Sequence, residues 1–336
     1  MAVHASIHLE YVLLKWCCVR YYFMEVVMRK WSKQQSIKRF LASEAVCGYV
    51  FSAPFIIGFL SFTIIPMIYS LYISFTSYNI SSSPVWIGFS NYIRMFSEDP
   101  RFIKSVGVTL YYVAVSVPLK VGFALIVAFL LTRKNSLSGF YRSIYYLPSL
   151  IGGSVAVTLV WKELFATKGV VNSVLSILGI KNPISWLGDP NYAIWILVLL
   201  AVWQFGSSMI IFAAGLKQIP VSYYEAAKID GGSLRQQFFF ITLPCLSPVI
   251  FFNTVMQTIG GFMTFTQAYI VSKGTGGPMD STMFYALYIY KQAFNYYDMG
   301  YASALAWILL LLIALVTAVI FKTSDTWVYY ESKGEK

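Results

Sequence analysis

The chain has 336 residues, of which 58% are hydrophobic and 12% carry a charge, and its mean hydropathy is +0.65. Soluble domains carry about 25% charged residues, so this composition excludes an ordinary water-soluble enzyme and indicates a polytopic membrane protein. The net charge of +11 is explained by basic cytosolic loops rather than by binding to nucleic acid. Both histidines, His4 and His8, lie near the start of the chain, which excludes a histidine-based metal or catalytic centre in the membrane body.

Residues 1–44 are predicted to form an N-terminal segment on the cytosolic side of the membrane. The stretch 6–28 is apolar but interrupted by charges, so it lacks the uncharged core of a signal peptide or a span. It is either an amphipathic helix on the membrane surface or a dispensable extension, with Met24 and Met28 as alternative starts. The basic stretch 29–39 is placed to meet anionic lipid headgroups.

Six apolar segments are predicted to cross the membrane as helices, because backbone polar groups in lipid must be satisfied within the segment. A crossing needs about 20 apolar residues. The first segment is longer than that and holds Pro54 and Pro66, so we expect it to be tilted, kinked or partly interfacial. The segments are 45–75, 105–132, 143–162, 191–216, 247–272 and 300–322. They form one predicted six-span domain over 45–322, followed by a cytosolic tail over 323–336.

The distribution of basic residues predicts the orientation of these spans. Loops on the side of the two chain ends hold 16 Lys and Arg residues, and loops on the other side hold 8. Because Lys and Arg collect in cytosolic loops, both ends are predicted to be cytosolic. All cysteines then lie at or near the cytosolic side, where disulfides are not expected, and they show no metal-ligand or redox spacing. They are Cys17, Cys18, Cys47 and Cys245.

One predicted cytosolic loop, residues 219–244, has its own helical pattern. A short helix is expected after Pro220, and Gly231-Gly232 ends it because glycine tolerates a positive φ. Ser233 with Gln236 is typical of a capping box that starts a second short helix. Pro244 is expected to limit that second helix. The loop is therefore predicted to be a rigid helix–turn–helix hairpin beneath the membrane, and we call it the coupling segment.

The coupling segment resembles the signature of binding-protein-dependent ABC importer permeases. That signature is EAA, three residues, glycine, nine residues, then I-x-L-P. It is present here as Glu225-Ala226-Ala227, Gly231 and Ile241-Thr242-Leu243-Pro244, with every spacing intact. The similarity covers residues 45–331 and is greatest to sugar permeases of the maltose type, although their large periplasmic insertion is absent. Supporting motifs are GGP at 276–278, VPLK at 117–120 and DMGYASALAW at 298–307.

The resemblance implies an all-α type I ABC importer permease fold in the bacterial cytoplasmic membrane. It also implies three partners: a cytosolic ATPase dimer, a second homologous permease and an extracytoplasmic sugar-binding protein. Glu225 would contact a basic residue of the ATPase, Ala226 and Ala227 would pack in its groove, and Gly231 would supply the turn. The other residues implied in coupling are Asp230, Ile241, Leu243 and Pro244.

The sequence contains no G-x-x-x-x-G-K-[ST] phosphate loop. The chain is therefore expected to be a transport subunit rather than an enzyme and to bind no cofactor itself. ATP and Mg²⁺ would be used by the partner ATPase.

The predicted fifth span carries polar side chains at Asn253, Gln257, Thr264 and Gln267. Steps of four, seven and three residues predict that they share one face of a continuous helix. Such a face either lines a wet cavity that takes substrate or bonds to neighbouring helices. A sugar site also needs aromatic faces, and the candidates are Trp203, Phe262 and Tyr269, with Gln204 as a further polar candidate.

Lys120 is the only charge deep within a predicted span. It either attracts the carboxylate of an acidic oligosaccharide or extends its long stem to a carbonyl group or a headgroup. The resemblance to sugar permeases implies an oligosaccharide as the substrate, and Lys120 makes uronate-containing sugars a candidate class. The alternatives are a permease of the same family for another solute such as glycerol phosphate, an ion-driven secondary transporter, or a membrane enzyme. A secondary transporter commonly shows inverted repeats and intramembrane carboxylates, and the sequence shows neither.

Overall fold

A computed structural model describes residues 44–132, 138–180 and 182–329. The predictions for residues 1–43 and for the end of the tail therefore lie outside the described residues. The chain divides into two units, Met1–Tyr69 and Ser70–Lys336.

The first apolar segment contains an irregular helix. Helix α1 (Glu44–Phe59) is followed by a π-helical segment, Leu60–Ile64, and then by α2 (Ile65–Ser74). The Ile65 N–H donates to the Leu60 carbonyl, five residues back, one position before Pro66. A π-bulge is a common way to absorb a break in the α-helical ladder. The segment from Gly48 to Ser74 remains one long helix, with a π segment at its middle. Its predicted tilt, kink or interfacial position stays a prediction.

The remaining elements lie in the larger unit. A two-stranded antiparallel ladder, β1 (Thr76–Ser77) with β2 (Val85–Trp86), interrupts the predicted all-α character. The helices are α3 (Ser90–Ser97), α4 (Pro100–Thr132), α5 (Ser138–Ile151), α6 (Val155–Leu164), α7 (Val170–Ile177), α8 (Pro190–Trp203), α9 (Gly206–Gln218), α10 (Val221–Ile229), α11 (Leu234–Gln237), α12 (Leu243–Phe262), α13 (Thr266–Ser272), α14 (Tyr285–Tyr290) and α15 (Met299–Trp327). The segments Phe238–Thr242 and Lys291–Asn295 are π-helical, and Pro278–Asp280 is a 3₁₀ turn.

Within the described residues, four helices are long and apolar enough to cross a membrane, and two bent helix pairs can each supply one more crossing. If each pair is one span, the total is the six predicted. The third and fourth spans are therefore not the continuous helices expected from the sequence. Helices α5 and α6 meet at 98°, and α8 and α9 meet at 41°. The first bend falls at Gly152-Gly153, after which the Ser154 hydroxyl caps α6 by accepting from the Val157 N–H.

The fifth span also differs from its prediction, at both ends. Pro244 does not limit the second coupling helix, because one helix runs from Leu234 to Phe262. The π segment Phe238–Thr242 carries the chain past the proline, and the Leu243 N–H bonds to the Phe238 carbonyl. At the other end the helix stops at Phe262, and α13 begins only at Thr266.

Helix α4 is the centre of the larger unit and packs against α8, α9 and α12. Val117, Val121, Ala124 and Ala128 form a buried stripe along it at helical spacing, and both alanines are completely buried. Small side chains let helix backbones approach closely, which is the usual basis of packing between helices in lipid. This close packing places α4, α8 and α12 around a common space.

A network of hydrogen bonds and an ion pair joins several helix ends in the larger unit. The hydroxyls of Tyr288 and Tyr301 both donate to the Asp99 carboxylate. Arg94 pairs with Asp298 at 2.8 Å, and its guanidinium lies over the Tyr301 ring. Burial and the Asp99 carboxylate raise the pKa of the Tyr288 hydroxyl, so it stays protonated and remains a donor at physiological pH. The network joins α3, α4, α14 and α15 where they meet.

Candidate functional site

The coupling segment turns at a pair of glycines. Helix α10 ends at Ile229, and Gly231 has a φ of +76°. Its N–H donates to the Lys228 carbonyl at 3.1 Å, and the Gly232 N–H donates to the Ala227 carbonyl at 2.7 Å. These two bonds form a Schellman motif, which satisfies the last carbonyls of the helix. The predicted turn is confirmed, and Gly231 is required by its backbone angle.

The second coupling helix starts with the predicted capping box. The Gln236 N–H donates to the Ser233 hydroxyl at 3.3 Å, and the Ser233 N–H donates to the Gln236 side-chain oxygen at 2.8 Å. Both halves of the box are present, so the prediction is confirmed.

Side chains then tie the two coupling helices together. The Gln237 amide donates to the Gly232 carbonyl at 3.0 Å, and the Tyr224 and Thr242 hydroxyls bond at 3.0 Å. These bonds join α10 to the π segment and the second coupling helix to the turn.

The signature residues divide into an exposed and a packed group. Glu225, Ala226, Asp230 and Gly231 are exposed, and Ala227 is half-buried. Ile229, at the end of the helix that holds the EAA motif, is 86% exposed, and Leu234, after the turn, is 71% exposed, so large apolar side chains face outward on both sides of the turn. Exposed apolar patches mark interaction sites. The half-buried residues are Ile241, Leu243 and Pro244, which lie where the π segment passes into α12.

A polar cavity of about 310 Å³ lies among α4, α8, α12 and the break after α12. Five of the six residues predicted for the substrate pathway line it: Lys120, Gln204, Gln257, Thr264 and Gln267. The sixth, Asn253, does not. It is 1% exposed, and its amide donates to the Val249 carbonyl one turn back.

The predicted reason for this grouping is wrong. Gln257 lies on α12, but the helix ends at Phe262, so Thr264 lies in the break and Gln267 on α13. The four polar residues therefore do not share one helical face. The bend, rather than the helical period, brings Thr264 and Gln267 to the same cavity as Gln257.

The three aromatic candidates also lie elsewhere. Trp203 packs its ring against Trp161, Phe262 is 1% exposed within the core, and Tyr269 packs against Phe265. The aromatic residues that line the cavity are Tyr112 and Phe265. Neither residue was predicted from the sequence. Phe265 lines the cavity because the chain breaks after α12, and that break was not predicted.

Lys120 is half-buried and, among the residues that the structure describes, is the only charged one that lines the cavity. The surrounding polar groups are amides and hydroxyls. Two of them also bond to neighbouring groups: the Gln257 amide donates to the Ser208 hydroxyl at 3.1 Å, and the Gln204 amide donates to the Leu200 carbonyl at 3.2 Å. Gln257 therefore both links two helices and faces the cavity, so the two interpretations of its polarity are compatible.

Comparisons with known proteins identify the family of the chain. Residues 99–328 match the family of binding-protein-dependent transport system inner membrane components. A probable ABC transporter permease protein of Bacillus subtilis, YesP, is 54% identical over 90% of this chain and 97% of its own length. The lactose transport system permease LacF of Rhizobium radiobacter is 35% identical, over 86% and 97%.

The same fold is found in a solved bacterial ABC transporter involved in the import of the acidic polysaccharide alginate. One of its chains superposes with a TM-score of 0.69, at 24% identity, over 88% of this chain and 98% of that chain. The fold is that of type I ABC importer permeases, and the chain is a multi-pass membrane protein and a transport subunit rather than an enzyme. It belongs to the family of binding-protein-dependent transport system inner membrane components.

Proposed function

We propose that this chain is a permease subunit of an ATP-driven, binding-protein-dependent importer of oligosaccharides. The observation that carries the proposal is the cavity, in which amides, hydroxyls and the Phe265 ring converge on one space of about 310 Å³. That volume is within the usual range for small-molecule sites, and amides and hydroxyls are suitable partners for sugar hydroxyls. The 35% identical relative named for lactose transport supports a sugar.

The coupling segment is proposed to dock on a cytosolic ATPase dimer, which binds the ATP and Mg²⁺. Glu225, Ala226 and the apolar Ile229 are exposed on one short helix, where a partner can contact them. Closure of the ATPase would then move a rigid piece rather than a flexible loop. A second permease and an extracytoplasmic sugar-binding protein complete the proposed complex, and both chain ends face the cytosol.

Lys120 favours an acidic sugar as the substrate. Over the described part of the chain it is the one charged side chain on the cavity wall, with no Asp or Glu beside it. A carboxylate on the substrate would meet this cation without competition from a protein carboxylate. Glycerol phosphate, the alternative solute in this family, would meet the same cation. The ion-driven and enzyme alternatives have no support once the family is known.

The test is uptake into proteoliposomes that hold the assembled importer, with ATP inside and binding protein outside. Labelled lactose and digalacturonate serve as the probes. We expect uptake that requires ATP, and we expect Lys120→Met to lower uptake of digalacturonate at least about tenfold while leaving lactose uptake within about twofold. Lys104→Met, on the same helix but exposed and away from the cavity, is the matched control.

Two results contradict the proposal in different parts. Uptake without ATP or without the ATPase would contradict the importer mechanism. An equal loss of lactose and digalacturonate in Lys120→Met would remove the acidic-sugar assignment and leave the importer assignment intact.

A further inference from the structure

The breaks in the third and fourth spans lie against each other. Helix α5 ends at Ile151, just before the bend, and α9 begins at Gly206, just after the other bend. These two half-helices pack against each other. Two irregular backbones that meet inside a membrane must satisfy each other's polar groups, because lipid supplies no partners.

The Ser149 side chain does this for the fourth span. Its hydroxyl donates to the Gln204 carbonyl at 3.0 Å and accepts the Ser207 N–H at 3.0 Å. One hydroxyl on the third span therefore bridges the break between α8 and α9. Both bonds join residues more than 50 positions apart in sequence, so the local sequence of the fourth span does not contain its own cap.

Two glycines permit the close approach. A Cβ at Gly206 would lie 2.3 Å from the Tyr145 carbonyl oxygen and 2.7 Å from the Tyr146 Cα. A Cβ at Gly152 would lie 2.4 Å from Cγ and 2.5 Å from Cδ of Gln204. Gly152 therefore forms the surface on which the Gln204 side chain rests.

We propose that Ser149 and Gly152 are positioning residues of the cavity: Ser149 holds the fourth-span break against the third span, and Gly152 leaves the room in which Gln204 reaches the cavity wall. This inference rests on the proposed function of the cavity. It assigns a role to two residues that do not line the cavity themselves.

The arrangement also connects the cavity to the coupling segment. Helix α9 runs from the break at Gly206 to Gln218, and the coupling segment begins at the next residue. Gln204 lies in the break, two residues before this half-helix, and α10, the helix proposed to dock on the ATPase, lies beyond its other end. Because Ser149 bonds to both sides of the break, α8 and α9 keep a fixed angle there. A movement of the coupling segment would then shift α9 and Gln204 together.

The experiment compares two adjacent glycines in the reconstituted importer, with lactose and digalacturonate as probes. Gly152→Ala pushes a methyl group into Gln204 and to 2.5 Å from the Pro148 carbonyl oxygen, whereas a Cβ at Gly153 meets nothing within 4 Å. We expect Gly152→Ala to raise KM about tenfold and Gly153→Ala to leave KM unchanged. Gln204→Ala should raise KM similarly. In the Gln204→Ala background, Gly152→Ala should cause no further rise in KM, because the side chain that it displaces from the cavity wall is already absent. The crowding of the Pro148 carbonyl remains in both backgrounds and should affect the amount of folded protein rather than KM.

Rescue separates positioning from general packing. Ser149→Ala removes the bridging hydroxyl and should raise KM, whereas Ser149→Thr keeps a hydroxyl and should restore it. If Gly152→Ala and Ser149→Ala lower only the amount of assembled importer and leave KM at its normal value, the proposal is overturned. A normal KM in Gln204→Ala, with a raised KM in Gln257→Ala, overturns this inference but leaves the cavity assignment intact. A normal KM in every cavity variant contradicts the proposed function itself.

A disulfide provides a test that does not depend on tolerance of Gly152→Ala. Ser149→Cys with Ser207→Cys, in a chain whose natural cysteines are replaced by serine, places two thiols on residues that are already in contact, since the Ser149 hydroxyl oxygen lies 3.0 Å from the Ser207 backbone nitrogen. Loss of the Ser149 hydroxyl should raise KM in this variant whether or not it is oxidised, so transport is compared before and after oxidation at saturating sugar. We expect oxidation to leave that transport rate unchanged, because the contact stays closed through the cycle. Transport that stops on oxidation and recovers on reduction would show that the spans separate there, and would overturn the proposal.

Discussion

The coupling segment and the cavity are built in opposite ways. The bonds that shape the coupling turn join residues three to five positions apart, such as Ser233 with Gln236 and Gly232 with Gln237. Those that shape the cavity join residues about 50 positions apart, such as Gln257 with Ser208 and Ser149 with Gln204. The first region is a local structure that can act as a rigid part, and the second exists only once four helices have packed. Substitutions in the two regions should therefore have separable effects.

The largest effect is expected at the coupling turn. Gly231→Val places a β-branched residue at a φ of +76°, where backbone strain costs about 1–3 kcal/mol. The turn should open, and uptake should fall at least about tenfold while the chain remains in the membrane and KM stays normal. Uptake, KM and ATP hydrolysis by the reconstituted importer measure this.

Gly88→Val is the matched control for that change. Gly88 has a φ of +60°, and at Gly88, as at Gly231, an added Cβ would meet no atom within 4 Å. The strain is comparable, but the site lies outside the coupling segment. An equal loss of uptake in both variants would show that strain alone, rather than the coupling turn, causes the effect.

An intermediate effect is expected at the cavity, where substitutions of two amide side chains on α12 are compared. Gln257→Ala removes a side chain from the cavity wall and should raise KM about tenfold with an unchanged ratio of transport to ATP hydrolysis. Asn253→Ala, one turn away and buried outside the cavity, should lower the amount of folded protein and leave KM unchanged. The opposite pattern, a raised KM for Asn253→Ala alone, would place the substrate elsewhere.

The smallest effect is expected at the capping box. Ser233→Ala removes the side-chain acceptor of the Gln236 N–H, a loss that typically costs about 1 kcal/mol. Hydrogen exchange of the amides at 234–237 should accelerate about fivefold, while KM remains normal. Ser90→Ala is a control at an exposed serine whose hydroxyl bonds only one turn back. Unchanged exchange in Ser233→Ala would show that the second coupling helix is held by α12 rather than by its cap.

The sequence predicted the coupling segment well because its signals are local. The paired glycines and Ser233 with Gln236 each dictate a hydrogen-bond pattern within one helical turn, and each pattern is observed. The one error there, the expected stop at Pro244, arose because a π segment can lead a chain past a proline.

Most of the polar residues of the cavity were predicted from the sequence, but the helix breaks that bring them together were not. Polar side chains inside an apolar span are costly, so they are expected to face a cavity or another helix. On that ground the sequence predicted Lys120, Gln204 and Gln257, and all three line the cavity. Tyr112 and Phe265 were missed, and so were the bends in the third and fourth spans. Glycine pairs such as Gly152-Gly153 permit a bend, but sequence alone does not distinguish a bent glycine pair from a straight one.

By itself, the sequence determined the membrane class, the number of apolar segments and the coupling turn. Those features depend on composition, length and hydrogen bonds that close within a few residues. Only the tertiary structure decided where the spans break and which side chains share a cavity. A broken span in lipid is stable only when another helix bonds to the backbone groups that the break leaves free. Here the Ser149 hydroxyl does so, and it lies 55 residues in sequence from the Gln204 carbonyl to which it donates.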